Sequence, residues 1–197
     1  RRFDNAIEVL RQKGITEPIE VVFKAYQLDP SAPVGQPTPV VEGYAKKFGG
    51  RERAEQILNH VTNVAAADNI EFKMDIALRA NTILAHRALH WALEHHGAVT
   101  QAIFKERLMK AYFSDGLNVG DADVVAQCAT EVDLDGDSLR TWLDTQEGFD
   151  AVQEDLQGAA MREITAVPSF VIDDRFLIPG AQDVDVFVNV LERALTR

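Results

Sequence analysis

The stretch Ala166-Val167-Pro168-Ser169-Phe170-Val171-Ile172-Asp173-Asp174-Arg175-Phe176-Leu177-Ile178-Pro179-Gly180-Ala181-Gln182 constrains this chain more than any other. Two short β-rich runs flank the polar pair Asp173-Asp174, and Pro168 heads the first run, a strand position where a missing N–H is tolerated. The pattern predicts an antiparallel hairpin that begins with a proline. Phe187, Val190, Leu191, Ala194 and Leu195 then recur at helical spacing, with Asp183 placed to cap them. The pattern leaves the isomer of the Val167-Pro168 bond open, since most X-Pro bonds are trans.

Upstream, Phe3, Ala6, Ile7, Val9 and Leu10 keep helix spacing up to Lys13-Gly14, a good stop signal. After the Glu17-Pro18 break, Ile19 to Tyr26 is β-branched and aromatic and predicts a strand. Asp29 to Pro39 holds Pro30, Pro33, Pro37 and Pro39 without periodicity, and reads as a surface connection. From Val40 to Met161 the patterns are almost all helical: 41–48, 51–68, 82–95, 99–113, 121–131, 138–143 and 148–162. A helical block between a strand and a hairpin implies an inserted domain. The expected organisation is 1–39 and 162–197 as two parts of one α/β domain, with 40–161 as an all-helical insert.

The formal net charge of -11 repels phosphate backbones, and no basic stripe offsets it, so nucleic acid is excluded as a partner. No apolar run approaches a membrane span, and no h-region follows the Arg1-Arg2 start. Cys128 is the only cysteine, which removes any internal disulfide, C-x-x-C pair or cysteine zinc site from these residues and fits a reducing, cytoplasmic compartment. The order helix, strand, helical block, hairpin, helix lacks a strand through which Ile19–Tyr26 and the hairpin could pair. Without it their main-chain donors and acceptors would be left over. Residues upstream of Arg1 are therefore expected, and unpaired edges are compatible with an oligomer.

Several fragments, in order and at matching separations, resemble one family. Arg1-Arg2-Phe3 resembles the end of a C-P-W-C-Y-x-G-K-R-R-F segment, and Phe23 to Pro30 approximates a "pF-L-P" strand exit. Asn81-Thr82-Ile83-Leu84-Ala85-His86-Arg87 is similar to an "NT..AHR" helix start, and Ala111-Tyr112-Phe113 to "AYF". Val167-Pro168-Ser169-Phe170-Val171 with Gly180-Ala181-Gln182 resembles "GVP.FV…GAQ", with Ala166 where glycine is usual and Pro179 where a small polar residue is more common. The family is the FrnE-like branch of the DsbA thioredoxin-fold oxidoreductases, related to 2-hydroxychromene-2-carboxylate isomerases and kappa-class glutathione transferases.

The resemblance covers essentially every residue present. It implies an α/β, thioredoxin-like fold with a large inserted all-helical domain, its first strand missing from this chain. It also implies a cis Pro168 beside the redox site. Thiol–disulfide exchange is the implied activity, with the catalytic cysteine pair upstream of Arg1 and no catalytic residue in the chain itself. A thiol at the head of the Arg2-to-Lys13 helix would face unsatisfied N–H groups and the positive end of the dipole, and Arg1 and Arg2 add charge nearby. The implied cleft takes Arg2, Asn81, His86, Val167, Pro168 and Gln182. Val167 would offer its main chain to an extended substrate or a bound thiol. No cofactor is expected to be held, glutathione would enter as co-substrate, and the partner is a disulfide-containing protein or a small thiol. Two alternatives stand beside this: a glutathione-dependent isomerase or transferase with serine in place of the attacking cysteine, and a non-catalytic binding module.

The residues also carry blander readings. His86 and His90 lie four apart on one helix, a spacing that can hold a metal, but no third ligand completes the set and no metal is expected. His95-His96 next to Gly97 reads as a helix C-terminus, and Cys128 among small apolar residues as a buried structural thiol. Asp133-x-Asp135-x-Asp137 lacks the glycine and glutamate of a calcium loop and reads as a turn capping the helix from Leu139.

Overall fold

The computed structural model describes residues 1–195 and gives, in chain order, α1 (Arg2–Gln12), β1 (Thr38–Pro39), α2 (Val40–Phe48), α3 (Arg51–Ala67), β2 (Leu78–Arg79), α4 (Ile83–Phe113), α5 (Ala122–Thr130), α6 (Gly136–Leu143), α7 (Phe149–Met161), β3 (Ser169–Ile172), β4 (Phe176–Pro179) and α8 (Val184–Leu195). These elements divide into two units. One comprises Arg1–Glu20 and the chain from Gln157 onward; the other comprises Val21–Leu156.

In the first unit α1 and α8 pack on one face of the β3–β4 hairpin. Their buried positions, Ala6 and Leu10 on α1 and Phe187, Val188 and Leu191 on α8, meet Ile178 of β4 and the part-buried Phe170 and Ile172 of β3. The rings of Phe3, Phe170 and Phe187 form a closed trio with centroids 4.7–5.3 Å apart. Each such pair adds about 0.5–1.5 kcal/mol beyond burial. β3 and β4 pair antiparallel, as the two β-rich runs predict, with Phe170 opposite Ile178 and Ile172 opposite Phe176. Arg175 N–H donates to Ile172 O at 3.0 Å, and the central residues Asp173 and Asp174 have φ of 50° and 52°. Positive φ at both central positions matches the twist of a hairpin, and aspartate tolerates it better than most residues.

The second unit is the helical block. Its main core gathers α4, α5 and α6 around Phe104, Leu108, Val125, Cys128 and Leu139. The expected break at Gly97 is present inside α4, where the glycine adopts φ 83° and ψ 174°. Glycine is needed at Gly136 for another reason: a Cβ there would lie 2.2 Å from Thr130 Oγ1 and 2.5 Å from Ala126 O, so α5 and α6 could not approach as closely. A second cluster holds α2 and α3 around Val40, Leu58, Met74 and Ala77.

Two expectations fail. The proline-rich connection is not wholly irregular, because Thr38 and Pro39 pair with Arg79 and Leu78 in a short ladder. The strand expected over Ile19–Tyr26 is absent; those residues carry no regular secondary structure. Nor are all their polar groups left over. Gln101 Oε1 accepts from Phe23 N–H at 2.9 Å while its Nε2 donates to Phe23 O at 2.9 Å. Asp155 Oδ2 accepts from Ala25 N–H at 2.9 Å, and His86 Nε2 lies 3.1 Å from Tyr26 O. Helix side chains supply the partners that a neighbouring strand would have supplied.

Candidate functional site

Within the first unit, contacts distant in sequence bring four of the expected site residues to one place. Phe3, one turn into α1, stacks on Phe170 at 5.1 Å, which sets the head of α1 beside the start of β3. Arg2 Nη1 donates to Ala181 O at 3.1 Å and pairs with Asp183 Oδ1 at 3.3 Å. Gly180 N–H donates to Pro168 O at 2.8 Å, closing the circuit from α1 through the 180–183 turn to the hairpin. Arg2 at the head of α1 is thereby linked to the 180–183 turn that carries Gln182, and through Gly180 to Pro168 and the neighbouring Val167. The Val167–Pro168 peptide bond is cis. Asp183, expected to cap α8 with its side chain, turns its carboxylate to Arg2, while its carbonyl accepts from Val186 and Phe187 N–H.

The hairpin register fixes which main-chain groups are open. Pro168, Phe170 and Ile172 direct their polar groups toward β4, since Pro168 O accepts from Gly180 and hydrogen-bonded pairs alternate along an antiparallel ladder. Val167, Ser169 and Val171 therefore turn theirs to the opposite edge. Among the described residues β3 has no ladder partner on that edge. The carbonyls of the adjacent turn are occupied: Pro179 O by Gln182 Nε2 at 2.6 Å, Gly180 O by Gln182 N–H at 3.0 Å, and Ala181 O by Arg2. This edge is the one open to the strand expected upstream of Arg1, and Val167, ahead of the ladder, is exposed beside it, as are Val171 and Leu177.

Asn81 and His86 lie in the second unit. Asn81 Nδ2 donates to Ala32 O at 2.9 Å and its Oδ1 accepts from Ile83 N–H at 3.1 Å, so it pins the proline-rich connection to the head of α4. His86 holds Tyr26 O. Burial pushes its imidazole below the ordinary range, opposed by that hydrogen bond and by the charge of Asp155. Its Nε2 accordingly carries the hydrogen, as the donor to a carbonyl must. His90, one turn on, faces Glu94 at 3.2 Å. Among the described residues no group of three or more histidine, cysteine or acidic side chains is placed to hold a metal.

The remaining candidates take structural roles. Cys128 is buried in the α4–α6 core, and burial pushes its thiol up while Arg107 opposes the shift. His95 Nδ1 lies 2.8 Å from Trp91 O in the last turn before Gly97. Asp135 caps α6, accepting from Ser138 N–H at 2.9 Å and from Ser138 Oγ at 2.7 Å. Three residues escaped the sequence reading. Gln101 and Asp155 are described above, and Arg87, 7% exposed, donates to the carbonyls of Leu143, Thr145 and Glu147. Only the position of Arg87 and Gln101 on the buried face of an amphipathic helix could have marked them.

Comparison with known proteins places this geometry. A family model described as the DSBA-like thioredoxin domain matches residues 2–192. The chain is 37% identical over 111 residues, 56% of its length, to the uncharacterized protein YwbO of Bacillus subtilis (strain 168), and spans about half the length (54%) of that curated relative. It superposes with a TM-score of 0.87 and 26% identity on the crystal structure of the probable DsbA oxidoreductase SCO1869 from Streptomyces coelicolor, covering 100% of this chain and 82% of that one. A crystal structure from Nitrosomonas europaea shares the fold at a TM-score of 0.70 and 16% identity, with 99% and 90% covered. Among the described residues no helix is long and apolar enough to cross a membrane.

Proposed function

The chain belongs to the DsbA-like thioredoxin domain family, and from that premise we propose that it serves thiol–disulfide exchange as part of a FrnE-like oxidoreductase, with 40–161 as the inserted helical domain. The observation that carries the reading is the meeting of the head of α1 with β3 through Phe3 and Phe170, and its link through Arg2 and the 180–183 turn to Pro168. A helix head presents unsatisfied N–H groups and positive potential, which stabilises a thiolate placed there. The main chain of Val167, ahead of the ladder residues, suits an extended polypeptide carrying the other sulfur.

The attacking cysteine and its partner are proposed to lie just upstream of Arg1. The first thiolate attacks one sulfur of a substrate disulfide, forming a mixed disulfide and releasing one substrate thiolate. The second cysteine, as thiolate, then attacks the first, releasing the remaining substrate thiolate and leaving the protein oxidised by two electrons. Oxidation of a substrate dithiol runs the same steps in reverse. The substrate is a disulfide-bearing protein or a small thiol such as glutathione, in the cytoplasm, a location that fits Cys128 lying as a free thiol in the α4–α6 core.

The test is to recover the coding sequence upstream of Arg1 and assay the longer product for insulin disulfide reduction alongside residues 1–197. An in-frame C-P-W-C with turnover only in the longer protein supports the proposal. A serine at the attacking position, with glutathione-dependent isomerase or transferase activity, refutes it, and so does thiol or peptide binding without any turnover.

A further inference from the structure

The helical block carries its charge unevenly. Residues 46–53 hold Lys46, Lys47, Arg51 and Arg53 against Glu52 alone, whereas 141–156 hold Asp144, Glu147, Asp150, Glu154 and Asp155 and no lysine or arginine. Both stretches belong to the Val21–Leu156 unit.

The basic stretch is the tip of the α2–α3 hairpin, and every residue from Lys46 to Arg53 is exposed. Gly49 and Gly50 make the turn at φ 85° and 129°, values that favour glycine, and Gly50 N–H donates to Ala45 O at 2.8 Å. Phe48 stands in the middle of this tip, 41% exposed, its ring 5.3 Å from that of Tyr44 and its centroid 5.6 Å from Lys47 Nζ. Arg51 pairs with Glu55 at 2.8 Å, but among the described residues Lys46, Lys47 and Arg53 have no carboxylate within ion-pair reach.

The acidic stretch has an aromatic centre of its own. Trp142 Nε1 donates to Glu147 Oε2 at 3.0 Å, and Gly148 lies so near that a Cβ on it would be 2.5 Å from Trp142 Cη2. The turn held in this way delivers Phe149, 40% exposed, to the head of α7. Asp144 is taken by Arg140 and Asp155 by Lys24. Asp150 and Glu154, one turn apart on α7 and both exposed, have no cation partner among the described residues. Like charges at that spacing repel each other mildly. Each patch is thus an exposed phenyl ring beside unpaired charges of one sign, and the two signs are opposite.

We propose that the α2–α3 tip of one copy of this chain docks on the head of α7 in a second copy, with Lys46, Lys47 and Arg53 facing Asp150 and Glu154 and Phe48 covering Phe149. The contact is heterologous, joining two different surfaces. Charge complementarity selects the occupant: a chain of net charge -11 repels its own copies on average, so attraction between them is confined to places where a basic surface meets an acidic one. A tip of this length falls short of the roughly 20–30 residues a side of a stable interface, so the association is weak and sensitive to salt. The inference concerns the helical block alone and is independent of the thiol–disulfide reading.

Sedimentation equilibrium of the 197-residue chain, over a concentration series at low and at high salt, reads the association. Lys46→Glu with Lys47→Glu is expected to weaken it roughly tenfold or more, and Asp150→Lys with Glu154→Lys to do the same. An equimolar mixture of these two proteins should associate again, since the intact tip of one meets the intact α7 face of the other. Phe48→Ser weakens association without changing any charge and stands in should a reversal fail to fold, as circular dichroism would show. A chain that stays monomeric at every concentration overturns the inference. So does association that ignores salt and both reversals, as pairing of the open β3 edge would, and so does a response to only one of the two reversals.

Discussion

Replacing Gln101 by leucine removes the polar end of a side chain that is 1% exposed while keeping most of its volume. The lost bonds are those to Phe23 N–H and O, both 2.9 Å, and the longer one to Leu89 O at 3.3 Å. Each sheltered main-chain group left without a partner costs about 1–3 kcal/mol. The added apolar burial returns about 1 kcal/mol. Gln101→Leu should therefore lose about 1–5 kcal/mol, a large share of the ~5–15 kcal/mol that holds a domain together. Urea unfolding at pH 7, followed by far-ultraviolet circular dichroism, reads the loss directly. Gln101→Glu sharpens the case, because a carboxylate can accept from Phe23 N–H but cannot donate to Phe23 O. Only the protonated acid can do both, so the folded state raises its pKa above the unfolded value of about 4.3. The folded state then binds the extra proton, and stability is greatest at acid pH and falls as pH rises from about 4.3 through the raised value, relative to the parent protein. A Gln101→Leu protein within about 0.5 kcal/mol of the parent would refute the account of this segment.

Other expectations follow from neighbouring sites. Arg87→Met strands three carbonyls between α6 and α7 and removes the guanidinium lying 5.2 Å over Trp142, and should cost about 3–5 kcal/mol in the same urea measurement. His86 is held neutral by burial below its unfolded value of 6.5, so the unfolded state binds more protons and stability should fall as pH drops through 6.5. His86→Gln, which can still donate to Tyr26 O, should flatten that slope between pH 7 and 5 when unfolding is compared across pH. Cys128 should resist a thiol reagent such as dithionitrobenzoate in the native protein and titrate as one thiol in urea; rapid native labelling would contradict its burial.

The sequence disclosed elements whose cause is local and concealed those whose cause is remote. The hairpin, its aspartate turn, the stop at Gly14 and the break at Gly97 each follow from residues within a few positions of one another, and each stands where the pattern puts it. The run Ile19–Tyr26 has the composition of a strand, but a strand is defined by a partner, and composition does not say whether one is present. Its observed partners come from α4 and α7, as far as 130 residues away in the case of Asp155. The ladder between Thr38 and Arg79 was missed for the same reason, being too short to leave an alternating pattern.

The candidate site divides along the same line. Pro168 and the Gly180-Ala181-Gln182 turn are readable because their geometry is local, whereas the bond from Arg2 to Ala181 spans 179 residues and makes sense of Arg2 only once the fold exists. Two arginines at a helix head are mildly unfavourable by themselves. The carbonyl of Ala181 and the carboxylate of Asp183 offset that cost and turn Arg2 into a tether between α1 and the turn that carries Gln182. Asn81 and His86 show the converse. Both carry the features of binding residues in sequence, yet each already holds a main-chain carbonyl of its own unit, Ala32 O and Tyr26 O. A direct role for either toward a ligand then requires that the ligand compete with, or act through, a bond on which the local structure depends. For His86 only Nδ1 remains as an acceptor while Nε2 is engaged. Any contact His86 makes with a ligand must therefore run through that nitrogen or through the position of Tyr26.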